Sequence, residues 1–214
     1  MKNTMDKTRG IQLKYAIKRL FDILCSSLGL TVFSPLMLII AAAIRCSSPG
    51  PAIFRQQRIG KDGRPFTMLK FRSMVKQDNG EPRWTMKNDP RVTGFGHWLR
   101  LFSLDELPQL INVLQGTMSL VGPRPEQPYY ADRFRRTIDC YDQRHRVRPG
   151  ITGWAQVNSL RGDTSIEDRV AHDLWYIDNW SLSLDARILA KTLLGAMLNR
   201  QELAASEDKT PSRK

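Results

Sequence analysis

The apolar residues of the chain are concentrated near its N-terminus. Residues 20–44 are almost wholly apolar, and these 25 residues would form a helix, at about 1.5 Å per residue, long enough to cross a bilayer core of about 30 Å. Basic residues flank the segment on both sides, so the positive-inside rule favours the cytoplasmic side for both ends. Together with Asp22 near the start and Ser34-Pro35 near the middle, this pattern predicts a re-entrant helix, broken at Ser34-Pro35, that dips into one leaflet.

Pro35 supplies the chemical reason for a break. It has no N–H to donate to the carbonyl of Thr31 and its ring crowds the preceding turn, whereas the Ser34 hydroxyl can bond a backbone group left free in lipid. Three other interpretations stay open at this point. They are a straight transmembrane anchor kinked at Pro35, a buried helix of a soluble core, and a signal peptide cleaved near Ala41-Ala42-Ala43.

A β-hairpin is predicted after the apolar segment. Residues 52–59 and 64–73 are strand-like and are joined around Lys61-Asp62-Gly63. Alternation places Lys70 and Arg72 on one face of the second strand. The pair is either a solvated basic face or part of a surface that binds anions.

The rest of the chain is mostly helical by its pattern, after a loop over residues 77–91. Thr164 and Glu167 form a capping box at the start of one helix. Alternation over residues 144–148 would align three arginines on one side of an extended strand. The predicted helices cover residues 94–102, 107–114, 132–141, 165–180 and 185–200.

These elements predict an α+β fold that is mainly helical with a small β-hairpin, in a monotopic membrane protein. Residues 1–46 would be a basic leader with the re-entrant helix-break-helix, and residues 47–200 a cytoplasmic catalytic domain. The polar residues 201–214 are expected to be a disordered tail.

Charge and cysteine content narrow the partners and the compartment. The chain has 33 Lys and Arg against 21 Asp and Glu, a formal charge of +12, so nucleic acid, phospholipid headgroups or a phosphorylated substrate would suit it. Its three cysteines show no CxxC or metal spacing, and an odd number argues against a disulfide framework. A reducing, cytoplasm-facing location fits best.

An adjacent acid pair, Asp105 and Glu106, is the main candidate for chemistry. A carboxylate can attack phosphorus or hold a divalent cation, and Arg124, between two prolines, is a fork-shaped phosphate ligand on a stiffened backbone. Two neighbouring carboxylates ionise together more easily when a cation shares them, and Mg²⁺ suits oxygen ligands of this kind. The alternative is purely structural, because Ser103 and Glu106 have the spacing of a capping box.

The chain resembles the bacterial sugar transferases, the monotopic phosphoglycosyl transferases that load a sugar phosphate onto a polyprenyl phosphate. The resemblance is nearly end to end. It is carried by Lys18-Arg19-Leu20-Phe21-Asp22, Ser34-Pro35, Pro49-Gly50-Pro51, residues 54–60, Lys70-Phe71-Arg72-Ser73-Met74, Asp89-Pro90-Arg91-Val92-Thr93, residues 103–125 and residues 147–158.

The resemblance implies a two-step reaction at the bacterial inner membrane, with the catalytic domain on the cytoplasmic side. Asp105 would attack the sugar-bearing phosphate of a UDP-sugar, release UMP and carry the phosphosugar until undecaprenyl phosphate accepts it. Glu106 would bind Mg²⁺. Weak similarity to members that use UDP-glucose or UDP-galactose suggests the first membrane step of exopolysaccharide, capsule or O-antigen synthesis.

Position in the family motifs makes five basic residues candidate phosphate ligands: Lys70, Arg72, Arg100, Arg124 and Arg148. Two positions depart from the family pattern. Thr117 stands where an acid is usual, and Ser159 where a glycine is common. Neither departure removes a proposed catalytic residue.

Two rival functions accompany this interpretation. A basic membrane-anchored protein that binds nucleic acid or acidic lipid would rest on charge alone, since no nucleic-acid-binding motif is present and no nucleic acid partner is expected. A non-catalytic membrane scaffold for polysaccharide assembly is suggested by Thr117 and Ser159. The expected partners are the UDP-sugar, undecaprenyl phosphate and inner-membrane lipid, and homodimerisation is left open by the sequence.

Overall fold

The computed structural model describes residues 2–75, 89–160, 162 and 164–207. The loop predicted over residues 77–91 therefore lies mostly outside the described residues. In chain order the helices are α1 (Lys2–Ser47), α2 (Gly94–Leu101), α3 (Gln109–Gln115), α4 (Pro128–Thr137), α5 (Trp154–Val157), α6 (Ile166–Asp178) and α7 (Leu182–Glu207). The strands are β1 (Ile53–Ile59), β2 (Pro65–Phe71), β3 (Ser119–Val121) and β4 (Gly150–Thr152).

Helix α1 runs through Pro35 without interruption, so the predicted break at Ser34-Pro35 is not seen as a gap in the helix. The Ser34 hydroxyl donates to the carbonyl of Thr31 at 3.0 Å, and this is the carbonyl that Pro35 cannot reach with an N–H. The side chain replaces the missing bond, which explains why the helix continues.

Most of α1 is apolar and exposed. Its segment Gln12–Ser47 is the one helix of the described residues that is long and apolar enough to cross a membrane, and only 11% of its most apolar window is buried. The large exposed side chains include Leu20, Leu24, Leu28, Val32, Leu36 and Ile39. An exposed apolar stripe of this length fits contact with lipid better than a soluble core helix.

Two charged residues of α1, Asp22 and Lys18, bind other parts of the protein. Asp22 is 2% exposed and accepts hydrogen bonds from Ser119 Oγ and Leu120 N, both at 3.1 Å. Lys18 Nζ lies 2.6 Å from the buried carboxylate of Asp185 on α7. The charges that opposed a plain membrane span therefore join α1 to β3 and α7.

The predicted hairpin is confirmed. Strands β1 and β2 pair antiparallel with Ile53 opposite Phe71 and Ile59 opposite Pro65, joined by a 3-10 turn at Lys61–Gly63. Asp62 in that turn has a φ of +56°, a value that Asp tolerates better than most residues. Strands β3 and β4 form a second, parallel pair.

The main core lies between the hairpin, α3, β3 and the last two helices. A second apolar cluster joins Ile40 and Ile44 of α1 to Ala52, Phe71 and Leu99. The buried members of the main core are Phe66, Met68, Val113, Met118, Leu120, Val121, Tyr176, Leu184 and Ile188.

The prediction of an extended strand over residues 144–148 is wrong. Tyr141–Arg146 forms a 3-10 helix, and the strand begins only at Gly150. Arg144 is buried against Asp173, and Arg146 pairs with Asp178 at the surface. Arg148 donates to the carbonyl of Gly116. Each guanidinium therefore binds a different acceptor, and the three arginines do not line one face.

Several helix boundaries also differ from the predictions. The helix predicted over residues 132–141 is α4, which begins and ends four residues earlier, at Pro128 and Thr137. The N-cap of α6 is Ser165, whose hydroxyl accepts from Asp168 N, while Thr164 Oγ1 accepts from Arg169 Nε. Helix α7 continues to Glu207, into the segment expected to be disordered, and residues 208–214 lie outside the described part of the chain.

Candidate active site

Glu106 is the centre of a charge cluster. Lys70 Nζ from β2 and Arg124 Nη2 from the loop after β3 each lie 2.8 Å from Glu106 Oε1. Burial alone would raise the pKa of this carboxyl, but the charges of Arg124 and Lys70 and their hydrogen bonds hold the pKa well below its ordinary range. Glu106 is therefore a carboxylate with two cations attached to one oxygen.

Asp105 differs sharply from its neighbour. It is only 7% exposed, and within the described ranges its carboxylate has no hydrogen-bond or ion-pair partner. Burial raises the pKa of Asp105, the nearby charge of Glu106 raises it further, and the charges of Lys70, Arg100 and Arg124 oppose the rise. Asp105 is thus a desolvated carboxylate near cations that it does not bind, which is the condition expected of a nucleophile.

The two acids lie in a tight turn of the backbone. Ser103 has a φ of +54° and begins a 3-10 turn at Leu104–Glu106, after which Pro108 precedes α3. The Ser103 side chain makes no capping bond, and the Glu106 carboxylate binds Lys70 and Arg124 instead. The alternative explanation of the acids as a capping box is therefore wrong.

Asn112 joins two elements of the site, although no sequence pattern singled it out. Its Oδ1 accepts from Leu69 N at 2.9 Å and its Nδ2 donates to Thr67 O at 2.8 Å. These bonds fix α3 against the edge of β2, next to Lys70. A polar residue inside the apolar run of α3 was the available signal, because a buried amide needs partners.

The other three predicted phosphate ligands occupy different surroundings. Arg100 is exposed, with Nη1 3.4 Å from Met74 Sδ, and its charge acts on Asp105. Arg72 donates to the carbonyls of Ser48 and Pro49 at the end of α1, and Arg148 Nε donates to Gly116 O. The structure thus brings Lys70 and Arg124 directly to the acid pair and Arg100 near it, while Arg72 and Arg148 bind backbone carbonyls elsewhere. The role of all five as phosphate ligands stays a prediction.

The two departures from the family pattern have local explanations. Thr117 Oγ1 lies 3.1 Å from Asn112 O and 3.3 Å from Asn112 Nδ2, so the hydroxyl is accommodated beside Asn112. Ser159 has a φ of +65°, a conformation that a glycine adopts without strain. The positive φ at this position therefore explains why a glycine is common there, without a role for the side chain in the reaction.

No group of three or more His, Cys, Asp or Glu side chains is placed to hold a metal ion within residues 2–75, 89–160, 162 and 164–207. One oxygen of Glu106 is occupied by two cations, which leaves the second oxygen and the Asp105 carboxylate. A divalent cation here would need further oxygen ligands from a substrate.

Comparison with known proteins identifies relatives of this chain. It is 48% identical over 189 residues to the UDP-glucose:undecaprenyl-phosphate glucose-1-phosphate transferase of Escherichia coli K12, an alignment that covers 86% of this chain and 41% of the relative. It is 47% identical over 182 residues to the UDP-N-acetylgalactosamine-undecaprenyl-phosphate N-acetylgalactosaminephosphotransferase of Aeromonas hydrophila, covering 83% and 43%. It is also 42% identical over 190 residues to the exopolysaccharide production protein PSS of Rhizobium leguminosarum bv. phaseoli, covering 85% and 95%.

The first two relatives are more than twice the length matched, so the chain spans about two fifths of each. The family model for bacterial sugar transferases matches residues 13–199. This match includes α1 from its apolar part onward, the acid pair and the arginine loop. The chain belongs to the bacterial sugar transferase family.

Proposed function

We propose that this protein transfers a sugar-1-phosphate from a UDP-sugar to undecaprenyl phosphate and releases UMP. The observation that carries the proposal is the contrast within the acid pair: Glu106 is bound by two cations, while the buried Asp105 has no partner in the described part of the chain. The names of the relatives supply the class of donor and acceptor.

In the first step a carboxylate oxygen of Asp105 attacks the phosphorus that bears the sugar. The bond from that phosphorus to the bridging oxygen breaks, and the electron pair leaves with UMP. Lys70 and Arg124, which both bind Glu106, would stabilise the charge that develops on the phosphate oxygens. Asp105 then carries the sugar phosphate as an acyl phosphate.

In the second step a phosphate oxygen of undecaprenyl phosphate attacks the same phosphorus. The bond to Asp105 breaks and the carboxylate is regenerated, so no group of the protein is consumed. The product is a polyprenyl diphosphate sugar. A desolvated nucleophile suits both steps, because it attacks readily and leaves as a carboxylate stabilised by nearby cations.

Mg²⁺ is the divalent cation that fits this site best. The second oxygen of Glu106 and the oxygens of a diphosphate form a set of hard ligands, and Mg²⁺ commonly takes only one or two protein carboxylates. When bound, it would neutralise the diphosphate and favour departure of UMP. We expect UMP release to stop when EDTA is added and to resume with excess Mg²⁺.

We further propose that α1, although continuous, bends at Pro35 when it meets lipid, so that it enters one leaflet of the bacterial inner membrane and returns, with the catalytic domain on the cytoplasmic side. The same folded domain contacts α1 before Pro35, through Asp22, and after it, through Ile40 and Ile44. A straight crossing would separate these contacts by the thickness of the bilayer. Tags on both termini, tested for protease access in sealed vesicles, should be equally accessible, and opposite accessibility would overturn the proposal.

The donor sugar is proposed to be glucose or galactose on the sequence resemblance. Relatives named for glucose and for N-acetylgalactosamine are 48% and 47% identical to this chain, so overall identity does not select the sugar. The deciding experiment is UMP release by the purified protein in lipid with Mg²⁺, undecaprenyl phosphate and a panel of UDP-sugars.

An Asp105→Asn variant is the matched control in that experiment, because it keeps the side-chain shape and removes the nucleophile. Release with one donor, lost in the variant, would support the transferase and identify the sugar. Equal release by the variant would contradict a role for Asp105 as nucleophile. Silence across the panel in correctly inserted protein would count against a UDP-sugar transferase.

A further inference from the structure

The loop that carries Arg124 is held at every residue. Each backbone carbonyl from Pro123 to Glu126 accepts a hydrogen bond from another part of the fold. The donors are Gly150 N to Pro123 O (2.9 Å), Arg144 Nη2 to Arg124 O (2.9 Å), Arg58 Nη1 to Pro125 O (3.0 Å) and Ile59 N to Glu126 O (2.9 Å).

The bond to Arg124 itself comes from a buried ion pair. The side chains of Arg144 and Asp173 are 4% and 3% exposed, and Arg144 Nη2 lies 2.6 Å from Asp173 Oδ2. The same nitrogen donates to Arg124 O, and Arg144 Nη1 donates to the Tyr141 hydroxyl at 3.2 Å. Asp173, on α6, thus fixes a guanidinium that in turn fixes the backbone of Arg124.

The side chain of Arg124 has more freedom than its backbone. It is 40% exposed, so its reach toward Glu106 and toward a substrate depends on where the backbone holds it. A carbonyl bonded to a buried, charge-paired guanidinium is more firmly placed than one bonded to water, because charge-assisted hydrogen bonds are short and strong.

We propose that the ion pair of Arg144 and Asp173 is a positioning device for Arg124 in the transfer reaction. The proposal rests on the proposed function. Neither residue needs to touch the substrate: the pair acts by keeping the Arg124 guanidinium at the distance where it binds Glu106 and meets the donor diphosphate. A displacement of about 1 Å at a reacting centre can cost a factor of about 100 in rate.

The test replaces the pair as a unit, Arg144→Met with Asp173→Leu, because removing one partner would bury an unpaired charge and destabilise the fold. We expect kcat/KM for UMP release, per folded molecule, to fall about 10-fold to 100-fold. In an Arg124→Ala background the same double replacement should lower kcat/KM by less than about 3-fold, because the Arg124 guanidinium that the ion pair positions is absent. Equal losses in both backgrounds would overturn the proposal.

Tyr176→Phe is the matched control. The Tyr176 hydroxyl is buried and bonds to Val121 O and Asp185 Oδ1, so its loss also weakens the core, but both partners lie outside the loop from Pro123 to Glu126. We expect a lower melting temperature with kcat/KM per folded molecule unchanged. An equal loss of activity in this control would show that the pair acts only through stability.

A second measurement does not require turnover. Glu106→Gln should lower the melting temperature less in the Arg144→Met, Asp173→Leu background than in the wild-type background, because Arg124 would no longer be held against Glu106. If the two decreases are equal, the positioning proposal fails even if the transferase is confirmed. If they differ while no UDP-sugar yields UMP, the positioning stands and the proposed function fails.

Discussion

Glu106 and Asp105 should respond in opposite directions to the same chemical change. Glu106→Gln removes the charge that Lys70 and Arg124 share, at 2.8 Å each. Asp105→Asn removes a buried charge that has no partner in the described residues, and an amide is cheaper to bury than a carboxylate. We expect the first substitution to lower the free energy of unfolding and the second to raise it, although both stop transfer.

The size of the first effect follows from burial. Lys70 and Glu106 are 16% and 17% exposed, and breaking a buried pair by removing one partner costs about 3–5 kcal/mol. The partial exposure of Arg124 places the expected loss near the lower end, at about 3 kcal/mol. For a chain of this size that corresponds to a fall of about 6–12 °C in melting temperature.

The effects of the two substitutions on stability should also depend on pH in different ways. The folded pKa of Glu106 is lowered, so its stabilisation is fully present above its unfolded pKa of about 4.3 and is lost as the pH falls through the folded value. The folded pKa of Asp105 is raised, so its ionised form costs stability above that folded value and the cost is relieved by protonation. The gain from Asp105→Asn should therefore be largest at neutral pH.

Thermal unfolding of the three proteins in identical lipid nanodiscs, between about pH 4 and pH 8, is the assay. Intrinsic tryptophan fluorescence reports unfolding, and UMP release at a permissive temperature reports activity. If Glu106→Gln melts within about 2 °C of the wild type, the charge cluster does not stabilise the fold. If Asp105→Asn melts lower than the wild type at neutral pH, the buried charge of Asp105 does not destabilise the folded state.

Three further predictions follow from other contacts. Lys70→Met should move the acid limb of the residual UMP-release profile to higher pH, because the Lys70 charge opposes the rise in the pKa of Asp105, and an unmoved limb would exclude this coupling. Asp22→Ala should lower the unfolding free energy by about 2–3 kcal/mol, as two buried donors lose their acceptor, while membrane recovery on flotation stays unchanged. Ser159→Gly should raise the melting temperature by about 2–4 °C, since a positive φ costs an L-residue about 1 kcal/mol, and a decrease would show that the serine hydroxyl is needed.

Local sequence patterns predicted the elements that depend on neighbouring residues. The hairpin was predictable because turn residues separate two strand-like runs, and both strands formed in the expected places. Helix α2 was predictable from a short amphipathic run. The acid pair could be singled out, but its division into a bound Glu106 and a free Asp105 depends on Lys70 and Arg124, which come from distant elements.

Two of the wrong predictions come from competition between hydrogen-bond partners that the local pattern does not rank. Arg144 was placed on a strand by alternation, whereas the buried carboxylate of Asp173, 29 residues later, determines where its guanidinium lies. Ser165 caps α6 in place of Thr164, whose hydroxyl accepts from Arg169. The partner of Arg144 is absent from any pattern of neighbouring residues, whereas the partner of Thr164 is only five residues away and the pattern does not decide which hydroxyl caps the helix.

The hydrogen bonds from Ser119 and Leu120 to Asp22 imply that α1 could not be replaced by an arbitrary apolar helix. Asp22 lies inside an apolar and largely exposed helix, yet its carboxylate accepts a hydrogen bond from the backbone N–H of Leu120 and so forms part of the folded domain. A chimera would have to keep an acid at this one helical position to retain the order of β3.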